Sequence, residues 1–135
     1  MGYVIVNLLL DTCAILWIVA DFEQLSEHAR SLLTTGNTEV FFSPISCPEI
    51  ACGVDRCRIQ LDRHWKTWFR YFTELNGWTE LPITLDITEE AYSLPDPFHQ
   101  DPADRIIVAT ARLNSLVIVT GDRKILDYPH VESLR

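Results

Sequence analysis

Short, uninterrupted apolar runs recur along the chain and are separated by segments with helical periodicity. Runs of this length without polar alternation are typical of strands buried on both faces of a sheet. They predict strands at 4–10, 39–42, 79–83 and 116–120, with a further strand near 131–134.

The segments between these runs place apolar residues at the spacing of one helical face. They predict helices at 12–19, 25–34, 46–56, 61–76, 87–94 and 102–114. Strands that alternate with helices form right-handed βαβ units. The pattern therefore predicts the α/β class, with a mostly parallel sheet covered by helices on both faces.

Composition limits the size and class of the protein. The chain has 135 residues, 47% of them hydrophobic, and we expect one domain over residues 1–135. A net charge of −8 argues against a broad positive face that binds duplex nucleic acid. No apolar run reaches the roughly 20 residues of a membrane span, and signal-peptide features are missing. The four cysteines lack metal-binding spacing and are expected to be buried free thiols, so we expect a soluble cytoplasmic protein.

Acidic residues stand where the predicted strands give way to helices. They are Asp11, Glu49, Asp101, Asp104 and Asp122. In a parallel sheet all strands end at one edge, and ligands bind in the crevice outside those carboxyl ends. We therefore expect these side chains to share one cleft.

Taken singly, each acid also has a structural explanation. Asp11 and Asp122 are placed to cap the helices that follow them, and Asp101 precedes a proline in the first helical position. Ser46 and Glu49 have the S-x-x-E spacing of a capping box.

The joint pattern is harder to explain by capping. Two carboxylates about 4 Å apart repel by about 4 kcal/mol at an effective dielectric constant of about 20, and a cluster contains several such pairs. Either some acids hold a proton or a divalent cation neutralises them. Ligands that are all oxygen favour Mg²⁺ or Mn²⁺, and such a site suits phosphodiester hydrolysis.

Four motifs, LLLDT, SPISCPEIA, DPADRIIVATA and VTGD, occur in this order between about residues 5 and 131. Together they resemble the acidic motifs of PIN-domain ribonucleases, and most closely those of VapC-like toxins from bacterial toxin–antitoxin pairs. The resemblance implies a five-stranded parallel sheet in a three-layer α/β/α sandwich. It also implies an endoribonuclease that depends on Mg²⁺ or Mn²⁺, an RNA substrate, a cognate antitoxin that inhibits it, and a homodimer.

The resemblance assigns roles to the acids motif by motif. Asp11 and Asp104 match the core metal-binding aspartates, while Glu49 and Asp122 complete a catalytic acidic quartet. Asp101 belongs to the DPxDR form of the third motif, and either binds metal through water or only caps the helix.

Other residues beside the motifs are candidates for supporting roles. Thr120 matches a hydroxyl position in the family and would orient a carboxylate or water. Arg105 and Arg123 each follow a motif acid and would either contact phosphate or form a salt bridge with Asp104 or Asp122. None of the four histidines has a metal-ligand spacing; His99, two residues before Asp101, is the strongest candidate among them for a direct role.

Pro48 departs from the pattern of many relatives, which have a bulky residue before the glutamate. If Ser46 is the N-cap, Pro48 lies in the first helical turn and is tolerated. If the helix begins at Ser43, Pro48 kinks it and displaces Glu49.

Positive charge is concentrated between residues 56 and 70, where five of the eleven Lys and Arg residues lie. Arg63, Lys66 and Arg70 are candidate RNA contacts; the alternatives are acids of an antitoxin or plain solvation. Aromatic residues in the same segment have i, i+3, i+4, i+7 spacing, which indicates a core or subunit interface rather than a base-stacking platform. They are Trp65, Trp68, Phe69 and Phe72.

Two other functions compete with a nuclease. A phosphatase with an aspartyl nucleophile needs a second aspartate two residues after Asp11, where this chain has Cys13. A PIN fold that only binds RNA or protein, without cleavage, remains the alternative, although all four family acids are present.

Overall fold

The computed structural model describes residues 6–135. Its strands are β1 (Leu8–Leu10), β2 (Val40–Phe42), β3 (Thr79–Glu80), β4 (Val117–Val119) and β5 (Ser133–Leu134). Its helices are α1 (Thr12–Ala20), α2 (Glu27–Thr34), α3 (Ser46–Asp55), α4 (Trp65–Leu75), α5 (Leu85–Ala91), α6 (Pro102–Asn114) and α7 (Arg123–Leu126), with a 3₁₀ turn at Phe22–Gln24. Residues 4 and 5 of the first predicted strand lie outside the described residues.

All five strands are parallel, in the order β3-β2-β1-β4-β5. The first strand is central, since Leu8 pairs with Val40 on one side and Val117 on the other. All three of its residues are fully buried. Its uniformly apolar sequence follows from this position, because a central strand covered on both faces has no side exposed to water.

Helices cover both faces of the sheet. Leu8 and Leu10 point to one face and pack with residues of α1, α2, α3 and α4. Leu9 points to the other face, where it packs with Ile107 and Val108 of α6 and with residues of α7. This arrangement confirms the three-layer α/β/α sandwich. It also brings the starts of α1, α3, α6 and α7 to the carboxyl ends of the strands.

The third strand is shorter than its sequence predicts. We expected residues 79–83, but strand pairing with β2 is confined to Thr79 and Glu80, with one further backbone hydrogen bond from the Leu81 N–H to the Phe42 carbonyl at 2.9 Å. The strand lies at the sheet edge, where short strands are common, and Pro82 directly follows that last hydrogen bond.

Capping side chains decide where two helices begin. The helix predicted at 61–76 starts only at Trp65, where His64 Nδ1 accepts a hydrogen bond from the N–H of Lys66. The helix predicted at 87–94 is displaced towards the N-terminus because Thr84 caps it. Both caps replace hydrogen bonds that the first helical turn cannot make internally.

The aromatic stripe of α4 packs in the core, which was one of the two locations expected for it. Trp68 and Phe69 are buried, while Trp65 and Phe72 pack against the same cluster at its edge. The Phe42 and Phe69 rings meet edge to face with centroids 5.4 Å apart.

The cysteines only partly match expectation. All four are free, but none is fully buried: Cys13 and Cys47 are half-buried, while Cys52 and Cys57 are exposed, because they lie on the outer side and just beyond the end of α3. In residues 6–135, no helix has both the length and the apolar character needed to cross a membrane.

We expect Gly121→Ala to destabilise the fold. A Cβ at this position would lie 2.1 Å from Cη2 of Trp17, whose indole covers the turn after β4. Overpacking of this kind costs about 1–3 kcal/mol. Gly36→Ala is the matched control, since its Cβ would meet no atom within 4 Å. Urea unfolding of both variants checks this, and equal midpoints would contradict it.

Candidate active site

The predicted acids meet at the carboxyl edge of the sheet. Asp11 directly follows β1 and precedes α1, and Asp122 precedes α7. Glu49 and Asp104 lie in the first turns of α3 and α6. Parallel strand order therefore brings together residues that are more than 100 positions apart in the chain.

Asp11 is held by hydrogen bonds to both of its carboxylate oxygens. Oδ1 accepts from the N–H of Thr12 at 2.8 Å, and Oδ2 accepts from the Thr120 hydroxyl at 2.6 Å. The aspartate is 5% exposed and the threonine is fully buried. Burial raises the pKa of Asp11, and these two hydrogen bonds oppose the rise. Thr120 thus orients a carboxylate, one of the two roles considered for it.

Cys13 lines the same part of the site. Its Sγ lies 3.8 Å from Oδ2 of Asp11 and accepts a hydrogen bond from the Gly121 N–H at 3.3 Å. Burial, with the nearby Asp11 charge, raises the pKa of the thiol to about 11. The thiol is therefore protonated at neutral pH and unsuited to act as a nucleophile.

Glu49 does not form the capping box that its spacing suggests. The N-cap of α3 is Ile45, which makes no side-chain cap. The Thr12 hydroxyl instead donates to Glu49, and its oxygen lies 2.9 Å from the Ser46 hydroxyl, which can donate to it. The structural explanation for Glu49 is therefore wrong, and its carboxylate faces the acidic cleft.

Burial raises the pKa of Glu49 to about 7, because the charged form loses hydration. The hydrogen bond from Thr12 opposes this rise, while the negative charges of Asp11, Asp104 and Asp101 add to it. Burial therefore contributes most to the raised pKa, and the like-charge crowding that the sequence pattern predicted adds to it.

Pro48 is the third residue of α3 and lies in its first turn. N–H groups in the first turn have no partner within the helix, so the missing donor costs little. Helix α3 therefore accommodates the proline without a kink, and Glu49 reaches Thr12.

Asp104 lies between two other polar side chains. Its Oδ2 is 2.6 Å from Nε2 of His99, and its backbone N–H donates to Oδ1 of Asp101 at 3.1 Å. Burial raises the pKa of Asp104 to about 6; the contact with His99 opposes the rise, and the charge of Asp11 adds to it.

Asp122 caps α7, because its Oδ1 accepts from the N–H of Lys124 at 2.9 Å. Its own N–H donates to the Thr120 hydroxyl at 3.0 Å. Asp101 likewise caps α6 and is exposed. These two acids therefore serve as caps while still facing the cleft.

Two overlapping sets of ligand atoms lie at the centre of the site. In each set, one atom from every residue lies within 4.8 Å of the others: Glu49, Asp101 and Asp104 form the first, and His99, Asp104 and Asp122 the second. Asp104 is common to both. The donors are mostly carboxylate oxygens that lie close together, and this chemistry fits a divalent cation. Asp11 belongs to neither set, although its charge reaches both Glu49 and Asp104.

The two arginines beside the motifs make different contacts from those expected. Arg105 is 6% exposed and donates to three backbone carbonyls rather than to Asp104. Arg123 pairs with Asp127 at 3.0 Å rather than with Asp122, and both partners are exposed. The expected salt bridges are therefore wrong for this structure.

The three basic candidates of the segment 56–70 are all exposed. Arg63 forms a salt bridge with Asp62 at 2.9 Å and stacks over the ring of Tyr71. Lys66 and Arg70 line a groove of about 610 Å³ that runs from the ends of β2 and β3 along α4. Its walls also contain Phe42, Pro44, Cys47, Trp65, Phe69, Thr73, Glu74, Trp78 and Glu80.

Sequence reasoning missed two members of the site. Thr12 stands inside the first motif but was given no role, and it holds Glu49 across 37 positions of chain. His99 lacks a metal-ligand spacing and was only the strongest candidate among the histidines, yet it contacts Asp104. The signal for His99 was only its closeness in sequence to Asp101 and Asp104.

Comparisons with known proteins agree with this geometry. The PIN domain family model matches residues 8–131. Ribonuclease VapC22 of Mycobacterium tuberculosis is 32% identical over 124 residues, which are 92% of this chain and 93% of that protein.

Solved structures share the fold. A toxin-antitoxin complex from Klebsiella pneumoniae contains a chain with a TM-score of 0.61 and 22% identity, covering 94% of this chain and 95% of that one. VapBC2 from Rickettsia felis, bound to a DNA fragment from its promoter, has a TM-score of 0.63 and 15% identity, covering 94% of this chain and 96% of that one. The family match spans nearly the whole chain, and the 32% identical relative agrees with it, so the chain belongs to the PIN-domain family.

Proposed function

We propose that residues 1–135 form one PIN domain that acts as a divalent-metal-dependent endoribonuclease, the toxin of a toxin–antitoxin pair. The observation that carries the proposal is the pair of ligand sets that overlap at Asp104, at the carboxyl edge of the sheet. Similarity to Ribonuclease VapC22 supports RNA as the substrate. The proposed catalytic acids are Asp11, Glu49, Asp104 and Asp122, with Asp101 as an additional metal ligand.

Mg²⁺ or Mn²⁺ is the proposed ion, because hard cations prefer carboxylate oxygens. When bound, it would supply a water of lowered pKa and stabilise charge on the phosphate oxygens. The protein's part is to hold the acids in place against their mutual repulsion. Thr120 holds Asp11, and Thr12 holds Glu49.

A PIN domain that only binds RNA or protein is the alternative. Capping alone would suffice for that role, and it accounts for Asp11, Asp101 and Asp122, each of which is the N-cap of the helix that follows. It does not account for Glu49, which is partly buried, has a raised pKa and makes no capping contact. Keeping such a group costs stability, and catalysis with a metal gives a reason for it.

Lys66 and Arg70 are the proposed RNA contacts, with Arg63 at the end of the same surface. The first two line the groove beside α4, so they offer positive charge along its wall. Phosphate contacts of this kind position a strand without reading its sequence.

The proposed protein partner is a cognate antitoxin. Its support is the likeness to chains from toxin-antitoxin complexes of Klebsiella pneumoniae and Rickettsia felis. We also propose a homodimer, on the family resemblance alone.

Asp104→Asn is expected to lower RNA cleavage on the order of 100-fold or more, since removal of one preorganised charged group from a catalytic site costs this much. Asp11→Asn should behave alike, and EDTA should abolish wild-type cleavage. Asp86→Asn, an exposed acid in the first turn of α5, is the charge-matched control. Gel assays on single-stranded and structured RNAs measure the rates. Equal cleavage by wild type and Asp104→Asn would overturn the proposal.

The pKa of Glu49 predicts how the metal-free protein responds to pH. Burial raises this pKa from 4.5 to about 7, so the folded state holds a proton that the unfolded state releases. This contribution to stability is complete below pH 4.5 and is lost as pH rises through about 7. In EDTA, Glu49→Gln should therefore become more stable relative to wild type between pH 5 and 8.

Thermal melting of both proteins across this range, with and without Mg²⁺, checks the expectation. Added Mg²⁺ should reverse the order above pH 7, because only wild type offers the Glu49 carboxylate to the cation. If the melting temperatures of wild type and Glu49→Gln in EDTA changed in parallel with pH, the titration of Glu49 would not affect stability and the expectation would be wrong.

We expect a small open reading frame next to this gene to encode the antitoxin. Co-expression of the two chains should give a complex that elutes as one species in gel filtration, and the complex should cleave RNA more slowly than the free enzyme. If the product of the neighbouring gene neither bound nor inhibited this protein, the toxin role would be contradicted while the proposed endoribonuclease activity would stand.

A further inference from the structure

The buried side chain of Arg105 forms hydrogen bonds with the backbone of the loop before α6. Its guanidinium donates to the carbonyl oxygens of His99 at 2.9 Å, Phe98 at 2.8 Å and Ala91 at 2.9 Å. Charged donors make stronger hydrogen bonds than neutral ones, and this side chain is only 6% exposed. Arg105 therefore ties the backbone of His99 to the helix that carries Asp104.

The His99 side chain in turn contacts an acid of the site. Its Nε2 lies 2.6 Å from Oδ2 of Asp104, and the two side chains are 22% and 15% exposed. The imidazole also packs against the Phe98 ring, with centroids 4.4 Å apart. Its backbone and its ring are thus both held, so its position relative to Asp104 is restrained.

Asp104 is the acid for which orientation matters most, because it belongs to both ligand sets. A free carboxylate rotates about its last torsion and exposes either oxygen to a cation. A donor fixed on Oδ2 removes that freedom and leaves Oδ1 for the cation. Carboxylate ligands in metal sites are commonly held by such outer hydrogen bonds.

We propose that His99 is a positioning residue: Nε2–H donates to Oδ2 of Asp104 and directs Oδ1 towards the cation. This inference rests on the proposed function, since it concerns how the same site holds its metal. It adds a residue outside the four acidic motifs and gives Arg105 a role one step further away, as the anchor of the His99 backbone.

Direct ligation by His99 is the competing role, because its nitrogen lies within 4.8 Å of ligand atoms of Asp104 and Asp122. The 2.6 Å contact favours positioning, since Nε2 would have to give up its hydrogen bond to Asp104 before binding a cation. The two roles differ in metal preference. A nitrogen ligand strengthens Mn²⁺ binding more than Mg²⁺ binding, whereas a positioned carboxylate serves both ions alike.

The test is calorimetric titration of the full chain with Mg²⁺ and with Mn²⁺, for wild type, His99→Ala and His99→Gln. Glutamine places an amide N–H near the position of the imidazole Nε2–H. His28→Ala, at an exposed position in α2, is the matched control. Melting temperatures in EDTA report the fold of each variant separately from metal binding.

We expect His99→Ala to bind both ions about 10–100-fold more weakly, the usual cost of losing an outer hydrogen bond in a metal site. His99→Gln should retain most of the affinity, and all melting temperatures in EDTA should stay close to that of wild type. RNA cleavage by His99→Ala should fall mainly in kcat at limiting metal and recover at high metal concentration.

Three results would overturn the inference. Equal affinities of wild type and His99→Ala would remove the role of His99 and leave the proposed nuclease intact. A loss confined to Mn²⁺ would identify His99 as a direct ligand. Wild type that binds neither ion would overturn the proposed metal site and the inference together.

Discussion

Repulsion among carboxylates at one edge of the sheet is the constraint on which the site depends. Parallel strand order brings the acids together, and burial keeps water from screening them. The raised pKa values of Glu49 and Asp104, about 7 and about 6, express the cost of both effects, with burial contributing most and the neighbouring charges adding to it. A fold that maintains this cost must hold each acid in place by other means.

Three of the acids are each held by one hydrogen-bonding side chain. Thr120 donates to Asp11, Thr12 donates to Glu49, and His99 contacts Asp104. Hydroxyl donors orient a carboxylate without cancelling its charge, so the negative potential of the cleft is preserved. The cleft thus combines fixed geometry with unbalanced charge, which is the arrangement that a divalent cation stabilises.

Arg105 stands beside a motif acid in the sequence but contacts the backbone of the preceding loop. Its place after Asp104 suggested a partner for that acid, but its guanidinium is buried on backbone carbonyls. A buried charge needs several strong hydrogen bonds, and free carbonyls of the loop before α6 supply them. By contrast, Lys66 and Arg70 of α4 are exposed.

The local pattern of apolar and polar residues determined much of the fold of this protein. Apolar runs and helical periodicity predicted the layers, the parallel sheet and all six longer helices to within a few residues, because burial sets those patterns. The motif acids could be named in advance for the same reason: strand ends are visible in the sequence. The start of α4 was predicted wrongly, since the cap by His64 overrides periodicity.

Only the tertiary structure decided which side chains meet across the loops. The link between Thr12 and Glu49 spans 37 positions, and the contact of His99 with Asp104 needs a loop fastened by Arg105. It also decided that Glu49 faces the cleft instead of closing a capping box with Ser46. Spacing along the chain specifies local geometry, whereas these contacts depend on how packed helices orient their first turns around a shared edge of the sheet.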